Sequence, residues 1–265
     1  MLSMFPHTLT GAGRAFIELS AHSMPTSGQA LAFVLGRYDG AAYLPALFEQ
    51  HAIAFPPELQ RSVRTRQAEY LAGRLCAAAA LAPFGWRGHR VGSGAWREPL
   101  WPPGLQGSIS HTASHAAAMV APGADWGGVG IDIESLVAAD AREWLLGSVV
   151  TQQELGWLLQ GAPRLPQEAL LTLAFSAKES FFKAAFHRLG RYIGFEDAHA
   201  CAISPSAGVL LLRCAADLAP GLERGQLVPV RFFWLDPHTL CTGVALRAVN
   251  VDSVAGNGKS LQCLA

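Results

Sequence analysis

Apolar and polar positions repeat along this chain with two different periods. Over residues 57–82, Leu59, Val63, Leu71, Leu75 and Ala79 recur near helical spacing, Pro57 stands where helices accept proline, and Pro83 and Gly85 close the segment. A longer helix is predicted over residues 166–188. Its buried stripe is Leu170, Leu173, Ala174, Ala177, Phe181, Ala184 and Ala185, with Gly190 placed to end it. Residues 138–160 contain two shorter helical pieces, the second opened by Thr151 and Glu154 at capping-box spacing. Strands are predicted over residues 30–35, around Ile109, over 116–120, and over 129–134 after a turn at Gly127-Gly128. The last third reads as four strands, 198–203, 208–214, 229–235 and 240–249, divided by Ser-Pro, Pro-Gly and Asp-Pro turns.

At 265 residues and 51% hydrophobic, the chain can bury a sizeable core as one large domain or two small lobes. Twenty basic residues balance twenty acidic ones, so bulk charge gives no pull toward nucleic acid or an anionic membrane, and any anion site must come from local clustering. Five cysteines, at 76, 201, 214, 241 and 263, form no CxxC and no pairing pattern, which favours reduced thiols. The first residues lack the basic and apolar regions of a signal peptide, and no run of about 18 apolar residues predicts a membrane span. The expectation is a soluble cytoplasmic protein.

Chemistry concentrates in two places. In the segment VGIDIE, residues 129–134, strand alternation puts Val129, Ile131 and Ile133 on a core face and Asp132 with Glu134 on the other. Carboxylates about 7 Å apart would repel by roughly 2 kcal/mol at an effective dielectric near 20, so a covered face invites a cation, whereas an edge strand in water needs none. Oxygen ligands favour magnesium or manganese over zinc. In FSAKESFFKA, residues 175–184, Glu179 and Lys183 lie four apart on one helix face. A competing local reading takes Ser176 and Glu179 as a capping box that starts a new helix. On the first helix Arg66, Tyr70 and Arg74 form a stripe, with Arg61 and Arg64 nearby. It is either a solvated basic face or an anion-binding edge. In the loop of residues 83–106, Trp86, Trp96 and Trp101 each need a surface to pack on. GNGKS near the C-terminus lacks the first glycine and the following helix of a phosphate loop. The glycines at 127–130 precede a strand and make no dinucleotide fingerprint.

GSISH, VGIDIE and LAFSAKESFFKA, in that order, resemble the three signature blocks of the 4'-phosphopantetheinyl transferases. RQAEYLAGR and PLWPPGLQGSISH resemble the branch that holds the enterobactin synthase component D type and the Sfp-type enzymes. The likeness spans roughly residues 61–200. It implies an α/β (α+β) fold of two similar lobes with pseudo-twofold symmetry. Each lobe would be a small antiparallel sheet packed on a long helix, with the active site in the cleft between them. The lobes would cover residues 1–126, with a coenzyme A-binding helix at 57–82 and the SISH block, and residues 127–249, with the metal-binding strand and the helix at 166–188, followed by a tail over 250–265. It further implies transfer of the 4'-phosphopantetheine arm of coenzyme A to a serine of an apo acyl, peptidyl or aryl carrier protein, with release of adenosine 3',5'-bisphosphate. Asp132, Glu134 and Glu179 would hold Mg²⁺ (or Mn²⁺). Ser110 and His111 would meet the nucleotide phosphates, the histidine near the 3'-phosphate. Arg66, Arg74, Lys183 and the backbone at Ile193 would contact coenzyme A, with Glu179, Lys183 and Asp132 as the catalytic set. A monomer that uses no nucleic acid or membrane partner fits this form. Arg97 stands where relatives often carry a nucleotide-contacting lysine. Without the resemblance, the same residues also suit a hydrolase splitting a nucleotide pyrophosphate, or a carrier-binding protein without catalysis.

Overall fold

A computed structural model describes residues 7–11, 14–22, 30–95, 97–191 and 193–249; Trp96 and the GNGKS segment lie outside them. The first sheet takes β1 (His7–Gly11), β2 (Arg14–His22) and β3 (Ala32–Tyr38). After the short helices α1 (Ala46–Gln50) and α2 (Pro57–Gln60) comes α3 (Arg64–Leu81), then the two-residue strands β4 (Gly92–Ser93) and β5 (Pro99–Leu100). β6 (Leu105–His111) and β7 (His115–Pro122) complete the sheet in the order β1-β2-β3-β7-β6. The second sheet begins with β8 (Trp126–Ser135). Helices α4 (Arg142–Ser148), α5 (Gln152–Gly161) and α6 (Gln167–Leu189) precede β9 (Ala198–Ser204), β10 (Val209–Cys214), β11 (Leu227–Asp236) and β12 (Thr239–Arg247), in the order β8-β12-β11-β10-β9. Among the described residues, every pairing between these strands is antiparallel.

The halves share a plan. In each, a strand (β3 or β8) leads into a long helix and pairs with the last strand of its half (β7 or β12). α3 buries Leu71, Ala72, Leu75 and Cys76 against Phe16, Ile17, Val34 and Ala118 of the first sheet. α6 buries Leu170, Leu173, Ala177 and Phe181 against Leu210, Val230 and Val244 of the second. A third apolar cluster, including Met119 of β7 and Val129, Ile131 and Ile133 of β8, joins them.

The predicted helix over residues 57–82 is broken in two. Val63 is extended, with ψ 151°, and α3 restarts at Arg64. The Gln67 side chain stabilises the break: its amide donates to the carbonyls of Leu59, Gln60 and Ser62, and its oxygen accepts from the Tyr43 hydroxyl at 2.9 Å. Apolar spacing runs through the break and gives no hint of this tertiary cap. By contrast, α6 runs unbroken through Ser176, from Pro166 at its N-cap to Gly190 in the left-handed region (φ 59°). The Thr151–Glu154 capping box forms as predicted.

Gly127 and Gly128 make no turn; both lie inside β8. A Cβ on Gly128 or Gly130 would collide with the carbonyl oxygen of Ala184 or Ser180, so these glycines let α6 settle directly on the strand. β8 is also an edge strand, yet water does not cover it. The Ile131 and Ile133 N–H groups donate to the Ser108 and Ser110 hydroxyls of β6, at 3.1 and 3.2 Å. Two serines thus take the place of a β-ladder between the halves, satisfying edge groups that would otherwise be buried without partners.

Candidate active site

Strand alternation turns Asp132 and Glu134 of β8 toward α6, whose Ser176, Glu179, Ser180 and Lys183 face the strand on successive turns. Asp132 is only 3% exposed. Its Oδ1 accepts from Lys183 Nζ at 2.7 Å and from the Ser110 hydroxyl at 2.9 Å, and its Oδ2 accepts from the Ser176 hydroxyl at 2.8 Å. Lys183 also donates to the Ile131 carbonyl at 3.2 Å and to Ser110 Oγ at 3.3 Å. One carboxylate therefore joins the first sheet, the second sheet and the helix. Thr242, opposite Asp132 in the β8–β12 register, extends the network by donating to the Ser176 carbonyl.

Burial pushes the Glu134 carboxyl up to about 8, and the neighbouring charges of Asp132 and Glu179 add to the rise against the pull of Lys183. Burial, with Asp132, likewise raises Glu179, although Lys183 opposes it. Burial alone would lower the Lys183 ammonium. Asp132, through its charge and its hydrogen bond, together with Glu179 and Glu134, more than offsets that and holds it above its ordinary value. Asp132 and Lys183 are in direct contact, and Glu134 and Glu179 lie near enough for their charges to act on the pair. Among the described residues, no three His, Cys, Asp or Glu side chains form a ready-made metal-binding group. The donor set still fits a hard divalent cation: it is oxygen only, and its repelling carboxylates would be relieved by one.

Two adjoining cavities flank this point and share Arg97, Pro99 and Ile109 in their walls. One, about 340 Å³, is lined by Arg66, Glu69, Tyr70, Arg74 and His111. The Arg66–Tyr70–Arg74 stripe lines this cavity, with Arg66 exposed at its mouth and Arg74 buried. Arg74 is buried, lies over the Tyr70 ring at 4.6 Å and donates to Ser93 Oγ at 2.7 Å. Arg64 points elsewhere, donating to the Tyr43 carbonyl. Arg66 Nη1 lies 2.8 Å from His111 Nε2. The other cavity, about 490 Å³, is lined by Glu179, Lys183, Phe182, Phe186, Ile193 and Phe195, a largely apolar wall with charge at one end.

Several residues here escaped the sequence reading. Ser176 anchors Asp132; it was visible only as a possible helix start. Ser110, expected at the nucleotide phosphates, donates its proton to Asp132. Lys178, beside Glu179 but on another face of α6, is 1% exposed and pairs with Glu154 at 2.8 Å. It also donates to the carbonyls of Val149 and Phe195, which ties the apolar cavity's wall to the helix. Glu69 joins the basic pocket, and its i,i+3 spacing from Arg66 was the available signal. Arg97 holds a positive φ of 65° at the junction of the two cavities.

Two family profiles match the chain. The 4'-phosphopantetheinyl transferase N-terminal domain matches residues 49–121, and the 4'-phosphopantetheinyl transferase superfamily matches residues 128–221. Among similar proteins, enterobactin synthase component D of Salmonella typhi is 39% identical over 178 residues, covering 66% of this chain and 73% of that one. The 4'-phosphopantetheinyl transferase Svp of Streptomyces mobaraensis is 34% identical over 183 residues, 68% and 72% of the two chains. The transferase Npt of Nocardia iowensis is 36% identical over 151 residues, 57% and 63%. With motif order, fold plan and these likenesses in agreement, the chain belongs to the 4'-phosphopantetheinyl transferase superfamily and is an enzyme that transfers phosphopantetheine from coenzyme A to carrier proteins.

Proposed function

We propose that the acceptor is the serine hydroxyl of an apo acyl, peptidyl or aryl carrier protein, and that the transfer depends on Mg²⁺ held by Asp132, Glu134 and Glu179. A small number of protein carboxylates, short of a closed cage, is how Mg²⁺ is usually held, with waters and substrate phosphate oxygens completing its shell. When bound, Mg²⁺ would neutralise charge on the donor's pyrophosphate. The serine oxygen attacks the phosphorus on the pantetheine side, and the bond to the bridging oxygen breaks. Adenosine 3',5'-bisphosphate leaves with that electron pair.

The chain's own residues divide the remaining work. Lys183, kept charged by Asp132, faces the pyrophosphate and stabilises the charge that builds on its oxygens. Asp132 is fixed by Ser110 and Ser176, so both the ammonium and the metal ligand are held in place before substrate arrives. Glu179 borders the apolar cavity, where its carboxylate takes the proton of the serine hydroxyl directly or through a water. Arg66, Arg74 and His111 hold the nucleotide phosphates in the basic pocket, and the Ser110 hydroxyl oxygen faces the same anions beside Lys183. Phe182, Phe186, Ile193 and Phe195 bury the pantetheine arm, with the backbone at Ile193 in contact. We take the working form to be a cytoplasmic monomer.

The observation that carries this reading is the Asp132–Lys183–Ser110 junction, whose lysine opens on the apolar cavity that adjoins the basic one. Mass spectrometry of an apo carrier panel after incubation with coenzyme A and Mg²⁺ tests it. Gain of the phosphopantetheine mass on a carrier, with no nucleotide release in its absence, is expected. Release of the bisphosphate nucleotide without carrier would mean hydrolysis instead.

A further inference from the structure

The basic pocket contains an acid, Glu69, where a phosphorylated nucleotide is to bind. A carboxylate facing a dianion is unfavourable unless it has another task. Its geometry supplies one. Glu69 Oε2 lies 3.4 Å from Arg66 Nη1 and 3.7 Å from His111 Nδ1, while the same Arg66 nitrogen lies 2.8 Å from His111 Nε2. A guanidinium only donates, so His111 Nε2 must accept. The ring is then neutral and carries its proton on Nδ1, facing Glu69. That Nδ1 is buried and makes no hydrogen bond.

The groups around the ring agree with a neutral imidazole in the donor-free protein. Burial holds His111 below its ordinary value. Arg66 on α3 and Lys183 on α6 push the same way, against Glu69 on α3 and Asp132 on β8. Removing Arg66 from Nε2 changes the balance at once, because it frees an acceptor and withdraws the nearest cation while Glu69 stays.

We propose that Glu69 is a positioning residue that couples donor binding to protonation of His111. The donor's phosphate draws Arg66 off the ring, Nε2 takes a proton from solvent, and the resulting imidazolium is held between Glu69 at Nδ1 and the phosphate at Nε2. The pocket thus gains a positive charge only when a phosphate is present to use it, and it favours donors that carry the ribose 3'-phosphate over those that lack it. This rests on the placement of His111 at the 3'-phosphate.

Calorimetric titration of the whole protein with coenzyme A and with 3'-dephospho-coenzyme A, in buffers of low and high ionisation enthalpy near neutral pH, measures the proton count. Wild type is expected to take up protons with coenzyme A and to take up fewer with the dephospho form. His111→Asn should abolish the difference, and Glu69→Gln should reduce it. Glu69→Gln should also weaken coenzyme A binding about tenfold at neutral to alkaline pH, as for the loss of one charge-assisted hydrogen bond, and by less as pH falls toward 6. A Glu69→Gln protein with wild-type uptake, or a wild type that binds coenzyme A with no difference in uptake between the two donors, overturns the coupling. If His111→Asn keeps the wild-type preference between the two donors, the placement of His111 has failed instead. Folding of Glu69→Gln is checked by circular dichroism and thermal unfolding, which should match the wild type.

Discussion

Lys183 on α6 and Asp132 on β8 meet at 2.7 Å, with the aspartate almost wholly buried and the lysine about one-third exposed. The pair is lopsided by construction: its anion is locked by two serines, and its cation has one side open to the cavity. An ammonium held this way loses little freedom when it turns to an incoming pyrophosphate. Lys183→Ala should lower turnover at least a hundredfold, on the order of 3 kcal/mol of barrier. Asp132→Ala and Glu179→Ala should each abolish transfer. Steady-state assays on proteins with wild-type circular dichroism check all three, and near-normal turnover of either carboxylate variant at saturating Mg²⁺ would falsify the metal assignment.

Glu134 makes the site sensitive to pH. Its value in the fold, about 8, lies above the ordinary 4.5, so the native state keeps a proton that the unfolded chain gives up earlier. The stability linked to this group is present below the lower value and is lost as pH climbs through the higher one. A cation that binds the ionised form reverses that loss. The rise in melting temperature caused by Mg²⁺ should be larger near pH 8.5 than at about pH 6, and Glu134→Gln should flatten the difference. Thermal scans with and without Mg²⁺ measure it.

Glu154 is more than a helix cap. Its Oε2 accepts from Thr151, while its Oε1 accepts from the Ala200 N–H and pairs with Lys178. Burial alone would raise the carboxyl; Lys178 and the backbone donors more than offset it and hold it below its ordinary value. Lys178→Met, which leaves the buried anion with its backbone donors, the Thr151 hydroxyl and the His199 ring at 3.6 Å, should cost about 3–5 kcal/mol in denaturant unfolding. Adding Glu154→Gln should recover part of the loss. An additive double variant would mean the two residues act separately.

Gly130 should tolerate no side chain. Alanine there would run into the Ser180 carbonyl, a backbone atom that cannot rotate away, so α6 must lift from β8. Gly130→Ala is expected to destabilise by at least the ~1–3 kcal/mol typical of overpacking and to cut transfer by moving Lys183 off Asp132. Gly156, where an added Cβ meets nothing within 4 Å, is the matched control. Chemical denaturation and turnover of the two variants make the comparison.

Much of this arrangement follows from order along the chain. Strand alternation put Asp132 and Glu134 on one face, helical spacing put Glu179 and Lys183 on another, and each period is a property of the local backbone. The α6 boundaries and the Thr151 cap are equally local. Composition supplied the core, and motif order supplied the family.

Contacts between distant residues could not be read this way. The break before Arg64 depends on Gln67 turning back to three carbonyls, and the glycines of β8 look like a turn until a helix lies on them. Ser108 carries no signal in the sequence and Ser110 only an expected phosphate contact; the meeting of β6 with the edge of β8 is what makes them the bridge between the halves. Glu69 gains its role only beside a histidine 42 positions away, and Ser176 only beside an aspartate 44 positions away. Sequence periodicity therefore chose which faces carry charge, whereas the packing of α6, β8 and β6 chose which charges touch. Hydrogen bonds and ion pairs act over a few ångströms in space, and separation along the chain does not encode that distance.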